Sequence, residues 1–231
     1  MKLFPPLLLL FALLCAPLAR AQDAARDNPS ERLTNRVETC EAILREFQED
    51  PQLAIPPEVL GRARAVVIVN QVKGGLILGL QYGYGVALAR RADGSWSIPV
   101  FIRAGEASIG LQLGGQRTET VYTIMNDDTV RLLFANRFNV GADARAVAGP
   151  RTYEAEKVNR DILDTPVLVY GRNQGLYAGA TVKAGWIARD DETNFTYYDT
   201  PYTLPELLYG DFVSPPPGAR PLMDFVAAIT R

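Results

Sequence analysis

The stretch Leu76-Ile77-Leu78-Gly79-Leu80-Gln81-Tyr82-Gly83-Tyr84-Gly85-Val86-Ala87-Leu88 decides the fold class. Every even position carries a large apolar side chain, whereas most odd positions are small or polar. Alternation with a period of two predicts a β-strand with one apolar face. Thirteen extended residues would span about 43 Å, which is longer than an ordinary strand. We therefore expect a bend, a bulge or a hairpin near Gly83 to Gly85.

Two other segments repeat this alternation. From Leu176 to Ala188 the even positions are again apolar, and Gly175, Gly179 and Gly185 stand one hundred positions after Gly75, Gly79 and Gly85. The segment from Ala107 to Gly114 alternates in the same way around a third Gly-Leu-x-x-Gly, which starts at Gly110. The pattern predicts three related β elements.

Shorter segments supply further strands. The β-branched run from Ala65 to Val69 predicts a strand that is buried on both faces. Asp93-Gly94 predicts a turn between a strand that ends at Arg91 and one that begins at Trp96. The remaining predicted strands are Thr118 to Met125, Phe138 to Ala148 and Pro166 to Tyr170.

The longest predicted helix runs from Ser30, its expected cap, to Asp50, and it carries three arginines against six acidic residues, a net charge of −3. Its apolar residues share one face, and they are Leu33, Val37, Cys40, Leu44 and Phe47. Shorter helices are predicted from Pro57 to Arg64, from Asp127 or Asp128 to Phe134, after Asp190, and from Leu222 to Ile229. These elements predict an α+β fold: a single domain with a curved, largely antiparallel, glycine-rich β-sheet or partial barrel that is covered by helices.

The composition excludes several classes of function. The chain has 231 residues, no histidine, two cysteines and a net charge of −2. Without histidine there is no imidazole base for Ser-His-Asp or Cys-His catalysis and no histidine metal site. Two cysteines, Cys15 and Cys40, provide neither a disulfide framework nor a Cys-x-x-Cys site. The charge is too close to neutral to indicate nucleic-acid binding.

The first residues have the form of an export signal. A basic start at Lys2 precedes the apolar run from Leu7 to Ala16, and Ala19-Arg20-Ala21 has the small-x-small form of a cleavage site. We expect residues 1–21 to be a signal peptide, 22–32 an N-terminal extension and helix start, and 33–231 the functional domain. Without residues 1–21 the chain has 22 basic and 26 acidic residues, a net charge of −4. This pattern predicts a periplasmic or secreted protein.

No catalytic or metal motif is complete. After Gly83-Tyr84-Gly85 the third glycine of a dinucleotide-binding motif is replaced by Leu88. Asp190, Glu192 and Asn194 have the spacing of calcium-loop ligands, but Phe195 stands where that loop needs glycine, so helix capping is favoured. Lys73 before Gly74-Gly75, and Arg90, are each compatible either with an anionic headgroup contact or with an ordinary solvated position.

Five separated motifs resemble the SYLF domain family in matching order. They are Ile55-Pro56-Pro57-Glu58-Val59-Leu60, Lys73-Gly74-Gly75, Gly110-Leu111-Gln112-Leu113-Gly114-Gly115-Gln116, Gly141-Ala142-Asp143-Ala144 and Gly175-Leu176-Tyr177-Ala178-Gly179. The resemblance spans about Leu33 to Ile229. It implies a lipid-binding module without catalytic residues, with phosphoinositide binding in eukaryotic members and actin regulation in fungal ones. For an exported bacterial member we expect no actin partner.

Together these observations predict a non-enzymatic protein that binds phospholipid or another lipid, with peripheral membrane contact, no cofactor, no metal and no nucleic acid. The candidate lipid-binding residues are Lys73, Gly74, Gly75, Tyr82, Arg90 and Trp186. Acyl chains would lie in a groove lined by residues such as Leu76, Leu78, Tyr82, Val86 and Trp186, although the same side chains would also suit the core. The alternative is a structural or protein-interaction domain of the cell envelope.

Overall fold

The computed structural model describes residues 28–74, 78–109, 116–172, 178–182 and 185–231. Several sequence predictions lie outside these residues: the signal peptide at 1–21, Cys15, Gly75, Leu76, the motif from Gly110 to Gly115, and Gly175.

The described residues form one mixed domain around a curled, half-barrel sheet, so the predicted α+β class is confirmed. The eight strands are β1 (Ala65–Gly74), β2 (Leu78–Ala89), β3 (Val100–Ile109), β4 (Gln116–Ile124), β5 (Phe138–Asn139), β6 (Ala146–Ala148), β7 (Val167–Gly171) and β8 (Trp186–Arg189). Their order is β5-β8-β3-β2-β1-β4-β7-β6. All neighbours are antiparallel except β6 and β7, which are parallel.

β2 passes through its glycines without interruption, and the predicted hairpin and bulge at Gly83 to Gly85 are wrong. Its pairing with β1 is continuous, with Gly83 opposite Gln71 and Gly85 opposite Val69. The glycines are needed because β1 approaches closely: a Cβ on Gly85 would lie 2.2 Å from the Ile68 carbonyl oxygen. Glycine therefore lets the strand continue in close contact with its neighbour.

The segment after Ala178 does not form the long strand that its alternation predicts. Ala178 and Gly179 form a turn, and β8 begins only at Trp186. Gly179 and Gly185 have φ values of +84° and +76°, left-handed conformations that end an extended run. Of the three related β elements, two are strands where the structure describes them: β2, and Ala107 to Ile109 of the segment from Ala107 to Gly114, which lie in β3.

The region from Phe138 to Ala148 is also not one strand. A turn at Gly141 to Asp143 separates β5 from β6, and Gly141 has a φ of +86°. By contrast, the strands predicted at Thr118 to Met125 and at Pro166 to Tyr170 are confirmed as β4 and β7. The turn at Asp93-Gly94 is confirmed as well, since Gly94 has a φ of +86° and Arg90 pairs with Trp96.

Seven α-helices are described: α1 (Pro29–Glu49), α2 (Pro57–Arg62), α3 (Asp127–Leu132), α4 (Arg160–Leu163), α5 (Asp191–Tyr198), α6 (Leu204–Tyr209) and α7 (Arg220–Ile229). Two predicted caps are wrong. Asn28 rather than Ser30 caps α1, because its side chain accepts from the Ser30 N–H. Asn126 rather than Asp127 or Asp128 caps α3, because it accepts from the Thr129 N–H. Asp190 caps α5 as predicted.

α1 packs against one face of the sheet through the five apolar residues that the sequence singled out, all of them buried. The Cys40 thiol on this face lies 3.9 Å from the Ile68 carbonyl oxygen. α1 also contacts α5 and α7. None of the described helices has the length and apolar character needed to cross a bilayer.

Candidate functional site

One face of the sheet passes from buried to exposed along β1 and β2. Ile68 and Val86, which pair with each other, are fully buried, whereas Val72 and Tyr82, also a pair, are each 57% exposed. Tyr84 lies between Tyr82 and Val86 on β2 and is half-buried. The guanidinium carbon of Arg36, a residue of α1, is 4.9 Å from the centroid of the Tyr84 ring. Tyr84 therefore lies at the boundary between the buried and the exposed part of this face.

The exposed part contains a row of residues that the strand register brings side by side. Residues that pair directly across a sheet share one face. The pairs of β4, β1, β2, β3, β8 and β5 align six residues, which we call the exposed row: Arg117, Val72, Tyr82, Gly105, Trp186 and Asn139. The first three are exposed, Trp186 and Asn139 are half-buried, and Gly105 is buried.

The centre of the exposed row is aromatic. The rings of Tyr82 and Trp186 lie 6.3 Å apart between centroids and are tilted by 57°. Gly105 separates them in the row, and a Cβ there would lie 2.5 Å from the Trp186 ring atom Cζ2. The missing side chain lets the indole lie against β3 and approach Tyr82.

Cationic side chains lie at both ends of the exposed row. The Arg137 guanidinium carbon is 5.1 Å from the Trp186 ring centroid, and Arg137 Nε donates to Asn139 Oδ1 at 3.0 Å. At the other end, Arg117 is exposed beside Val72. The surface thus combines an apolar, aromatic centre with guanidinium groups at its rim.

The structure brings together only some of the predicted site residues. Tyr82 and Trp186 meet in the exposed row. Lys73 and Gly74 are the last residues of β1, and Gly75 lies outside the described residues. Arg90 immediately follows β2 and is eight residues beyond Tyr82, which corresponds to about 26 Å of extended chain. Arg90 and Tyr82 therefore do not contact the same headgroup.

The predicted groove must also be revised. Val86 belongs to the core and is fully buried, because α1 covers the face on which it lies. Leu76 and the Leu78 side chain are outside what the structure describes. Of the proposed groove residues, two belong to the exposed row: Tyr82, which is exposed, and Trp186, which is half-buried.

Sequence reasoning missed Val72, Gly105, Arg117 and Arg137. Val72 continues the even-numbered series of Ile68 and Asn70, so extending the predicted strand past Val69 would have found it. The other three become neighbours only through the pairing of distant strands, and no local signal identifies them.

The calcium-loop residues have structural roles. Asp190 caps α5, and the Asn194 side chain both accepts from the Phe101 N–H at 2.8 Å and donates to the Phe101 carbonyl oxygen at 3.0 Å. Within the described part of the chain, no group of three or more acidic or cysteine side chains is arranged to hold a metal ion.

The fold and the exposed row define a single-domain α+β protein with an amphipathic aromatic surface on its sheet. The family model described as "Ysc84: Las17-binding protein actin regulator" matches residues 105–229, which is more than half of the chain. The chain belongs to this family, and the predicted resemblance to the SYLF domain is confirmed.

Similar proteins come from fungi and mammals. The chain is 31% identical to protein YSC84 of Saccharomyces cerevisiae over 206 residues, which cover 85% of this chain and 44% of YSC84. It is 30% identical to LAS seventeen-binding protein 3 of the same yeast, with coverage of 85% and 44%. It is 29% identical to SH3 domain-containing YSC84-like protein 1 of Bos taurus, with coverage of 82% and 58%. The chain thus spans less than half the length of the two yeast relatives.

Proposed function

We propose that this protein is a non-enzymatic lipid-binding domain and that the exposed row is its membrane-contacting surface. The observation that carries the proposal is the aromatic centre of the row, where Tyr82 and Trp186 lie together and Val72 extends the apolar surface across β1. Tyrosine and tryptophan are favoured at membrane interfaces because one end of each side chain is apolar and the other end is polar.

Apolar contact supplies most of the proposed affinity. The chain has a net charge of −2, and residues 30–50 carry −3, so attraction of the whole protein to an anionic membrane is weak. Arg117 and Arg137 are placed to remain at headgroup level while the rings enter the interface. Burial of apolar surface contributes about 25 cal/mol per Å².

Liposome sedimentation with phosphatidylcholine vesicles tests this proposal. Tyr82→Ala should weaken binding about five- to tenfold, equivalent to about 1–1.4 kcal/mol. Tyr153→Ala is the matched control, because Tyr153 is 64% exposed but lies on the 3-10 helix Thr152–Lys157, outside the exposed row. Equal binding of the two variants, with unchanged melting temperatures, would overturn the assignment of the exposed row.

The location of the protein is part of the proposal. Export to the periplasm or the medium requires cleavage after Ala21, which leaves Gln22 as the first residue. Intact-mass analysis of the protein from its native cells tests this step. A mass that includes Cys15 would refute it.

A second candidate function is protein–protein interaction. It is supported by the description of the family, "Las17-binding protein actin regulator", and by the name of LAS seventeen-binding protein 3. Exposed aromatic and arginine side chains also suit protein interfaces. Cosedimentation with actin filaments, run in parallel with vesicles, separates the candidates: we expect the chain to pellet with vesicles, whereas pelleting with filaments alone would replace lipid binding by protein binding.

A further inference from the structure

The end of the sheet opposite the exposed row carries a cleft of about 250 Å³. Four arginines line it together with one carboxylate and two aromatic rings. We call it the arginine cleft, and its argued residues are Arg64, Arg90, Arg91, Arg131, Asp127 and Tyr209. It is smaller than the roughly 300–1,000 Å³ of sites for drug-sized ligands, which suits a small charged group.

The pairing of β1 with β2 explains why the arginines converge. Arg64 immediately precedes β1 and Arg90 immediately follows β2, and because Ala65 pairs with Ala89 the two ends lie side by side. The Arg90 N–H donates to the Arg64 carbonyl oxygen at 2.7 Å. α3 contributes Arg131 from its last turn and Asp127 from its first turn.

Arg91 has a structural role in the arginine cleft. Its guanidinium donates to the carbonyl oxygens of Leu208 and Gly210, at 3.0 Å and 2.8 Å, and pairs with Asp211 at 2.6 Å. These bonds hold the end of α6, and with it Tyr209, whose ring meets Phe134 edge to face at 6.1 Å. Arg91 therefore shapes the wall of the cleft.

The other three arginines have less compensation. Arg64 Nε is 3.9 Å from Asp127 Oδ1, and Arg131 pairs with Asp128 in a contact where both side chains are largely exposed and the interaction is therefore weak. Arg91 is paired with Asp211 and Arg131 with Asp128, so Arg64 and Arg90 share the one carboxylate that lines the cleft, Asp127.

Arg90 forms no ion pair with a carboxylate among the described residues, and its guanidinium carbon lies 5.1 Å from the Trp96 ring centroid. One of its terminal nitrogens donates to the carbonyl oxygens of Leu60 and Thr230, at 3.3 Å and 3.0 Å. Its Nε atom is buried and has no hydrogen-bond partner among the described residues. Burial, with the charge of Arg64 as the second cause, lowers the pKa of Arg90. A bound anion would favour the charged form of Arg90 and so raise its pKa again.

We propose that the arginine cleft binds a phosphate group, carried either by a soluble phosphomonoester or by a lipid headgroup. A phosphomonoester has nearly two negative charges at neutral pH and is therefore attracted to a cleft that four guanidinium groups line beside one carboxylate. Guanidinium groups bind phosphate oxygens through paired, charge-assisted hydrogen bonds. The site lies about 26 Å along β2 from Tyr82, so it is separate from the proposed membrane contact.

Isothermal titration with glycerol 3-phosphate and sedimentation with phosphatidylcholine vesicles that contain some phosphatidic acid test the two sources. The test variant is Arg64→Gln with Arg131→Gln, since neither side chain makes a core contact like those of Arg90 and Arg91. The control is Arg160→Gln with Arg220→Gln, which removes the same charge at exposed positions outside the cleft. Melting temperatures verify that both variants fold.

We expect saturable binding to the unaltered protein, at least tenfold weaker binding to the test variant, and binding within twofold to the control. Binding of glycerol 3-phosphate identifies a soluble ligand, whereas a gain on phosphatidic acid alone identifies a headgroup. Absence of saturable binding in both arms, or equal loss in test and control variants, would overturn the proposal. Vesicles of phosphatidylcholine alone test membrane contact by the exposed row. Failure of that proposal is therefore distinguished from failure of phosphate binding by the arginine cleft.

Discussion

Ile68 and Val72 lie four residues apart on the same face of β1, yet Ile68 is fully buried and Val72 is 57% exposed. Their partners on β2, Val86 and Tyr82, differ in the same way. The residue chemistry is similar along the face, and the difference lies in what covers it, since α1 packs over the part that contains Ile68. An apolar strand face therefore becomes core or binding surface according to the helix above it.

The largest expected effect is on stability in the covered part. Ile68→Ala should lower the free energy of unfolding by about 2–5 kcal/mol, because it removes buried methyl groups and leaves a cavity under α1. Val72→Ala should change it by less than about 0.5 kcal/mol, because the side chain is largely in water. Chemical denaturation measures both. Similar losses in the two variants would mean that α1 does not create the difference between the two parts.

The covered part was predictable from local sequence, whereas of the exposed row only Tyr82 and Trp186 were. The apolar face of α1 and the β-branched run from Ala65 to Val69 identify their buried residues through periodicity alone. The row depends on register: Trp186 reaches Gly105, 81 positions earlier in the chain, only because β8 pairs with β3. Pairing of distant strands is set by the whole fold and is not encoded in local alternation.

Two segments with identical glycine spacing also have different structures. Gly85 continues β2, whereas Gly185, in the same phase of the apparent repeat, has a φ of +76° and precedes a new strand. Glycine is compatible with both an extended and a left-handed backbone, so its position alone does not distinguish a strand from a turn. The convergence of Arg64 and Arg90 follows from pairing of adjacent strands, but Arg131 and Tyr209 reach the arginine cleft through later elements.

The next largest effect is expected at the centre of the exposed row. Gly105→Val should lower the free energy of unfolding by about 1–3 kcal/mol, because the new side chain would occupy the space of the Trp186 ring. It should also reduce vesicle binding by displacing the indole from Tyr82. Denaturation and liposome sedimentation measure the two effects.

Gly61→Val provides the control for the general cost of replacing glycine by valine, since a Cβ at Gly61 has no atom within 4 Å. Loss of stability without loss of vesicle binding in Gly105→Val would show that the contact between Tyr82 and Trp186 is irrelevant to lipid.

Cys40 reports on how completely α1 covers its part of the sheet. Burial raises the pKa of its thiol from 9.0 to about 12, so the reactive thiolate is scarce at neutral pH. A Cys15→Ser protein, in which Cys40 is the only thiol, should not react with a disulfide reagent when folded and should react fully in denaturant. Rapid reaction of the folded protein would contradict tight coverage by α1.

The same thiol gives a pH dependence. Above pH 9 the unfolded chain releases the Cys40 proton while the folded protein keeps it, so this group's contribution to stability falls as pH rises towards 12. Cys40→Ala serves as the comparison in denaturation at pH 8 and pH 10, because its stability lacks this component of the pH dependence. An identical slope in both proteins would show that the thiol is not protected in the fold.

The smallest expected effect separates the exposed row from the arginine cleft. At about 0.5 M salt the Debye length is only about 4 Å, so attraction between exposed charges is largely screened whereas apolar burial persists. Binding to phosphatidylcholine vesicles should therefore change less than about twofold, and Lys73→Ala should have an equally small effect. Arg90→Ala should likewise leave vesicle binding intact, provided that it folds without its bonds to Leu60 and Thr230. Binding of glycerol 3-phosphate should fall steeply at the same salt, because it relies on guanidinium charge. Loss of vesicle binding at this salt, or in Lys73→Ala or Arg90→Ala alone, would show that lipid binds at a basic headgroup site and not at the exposed row.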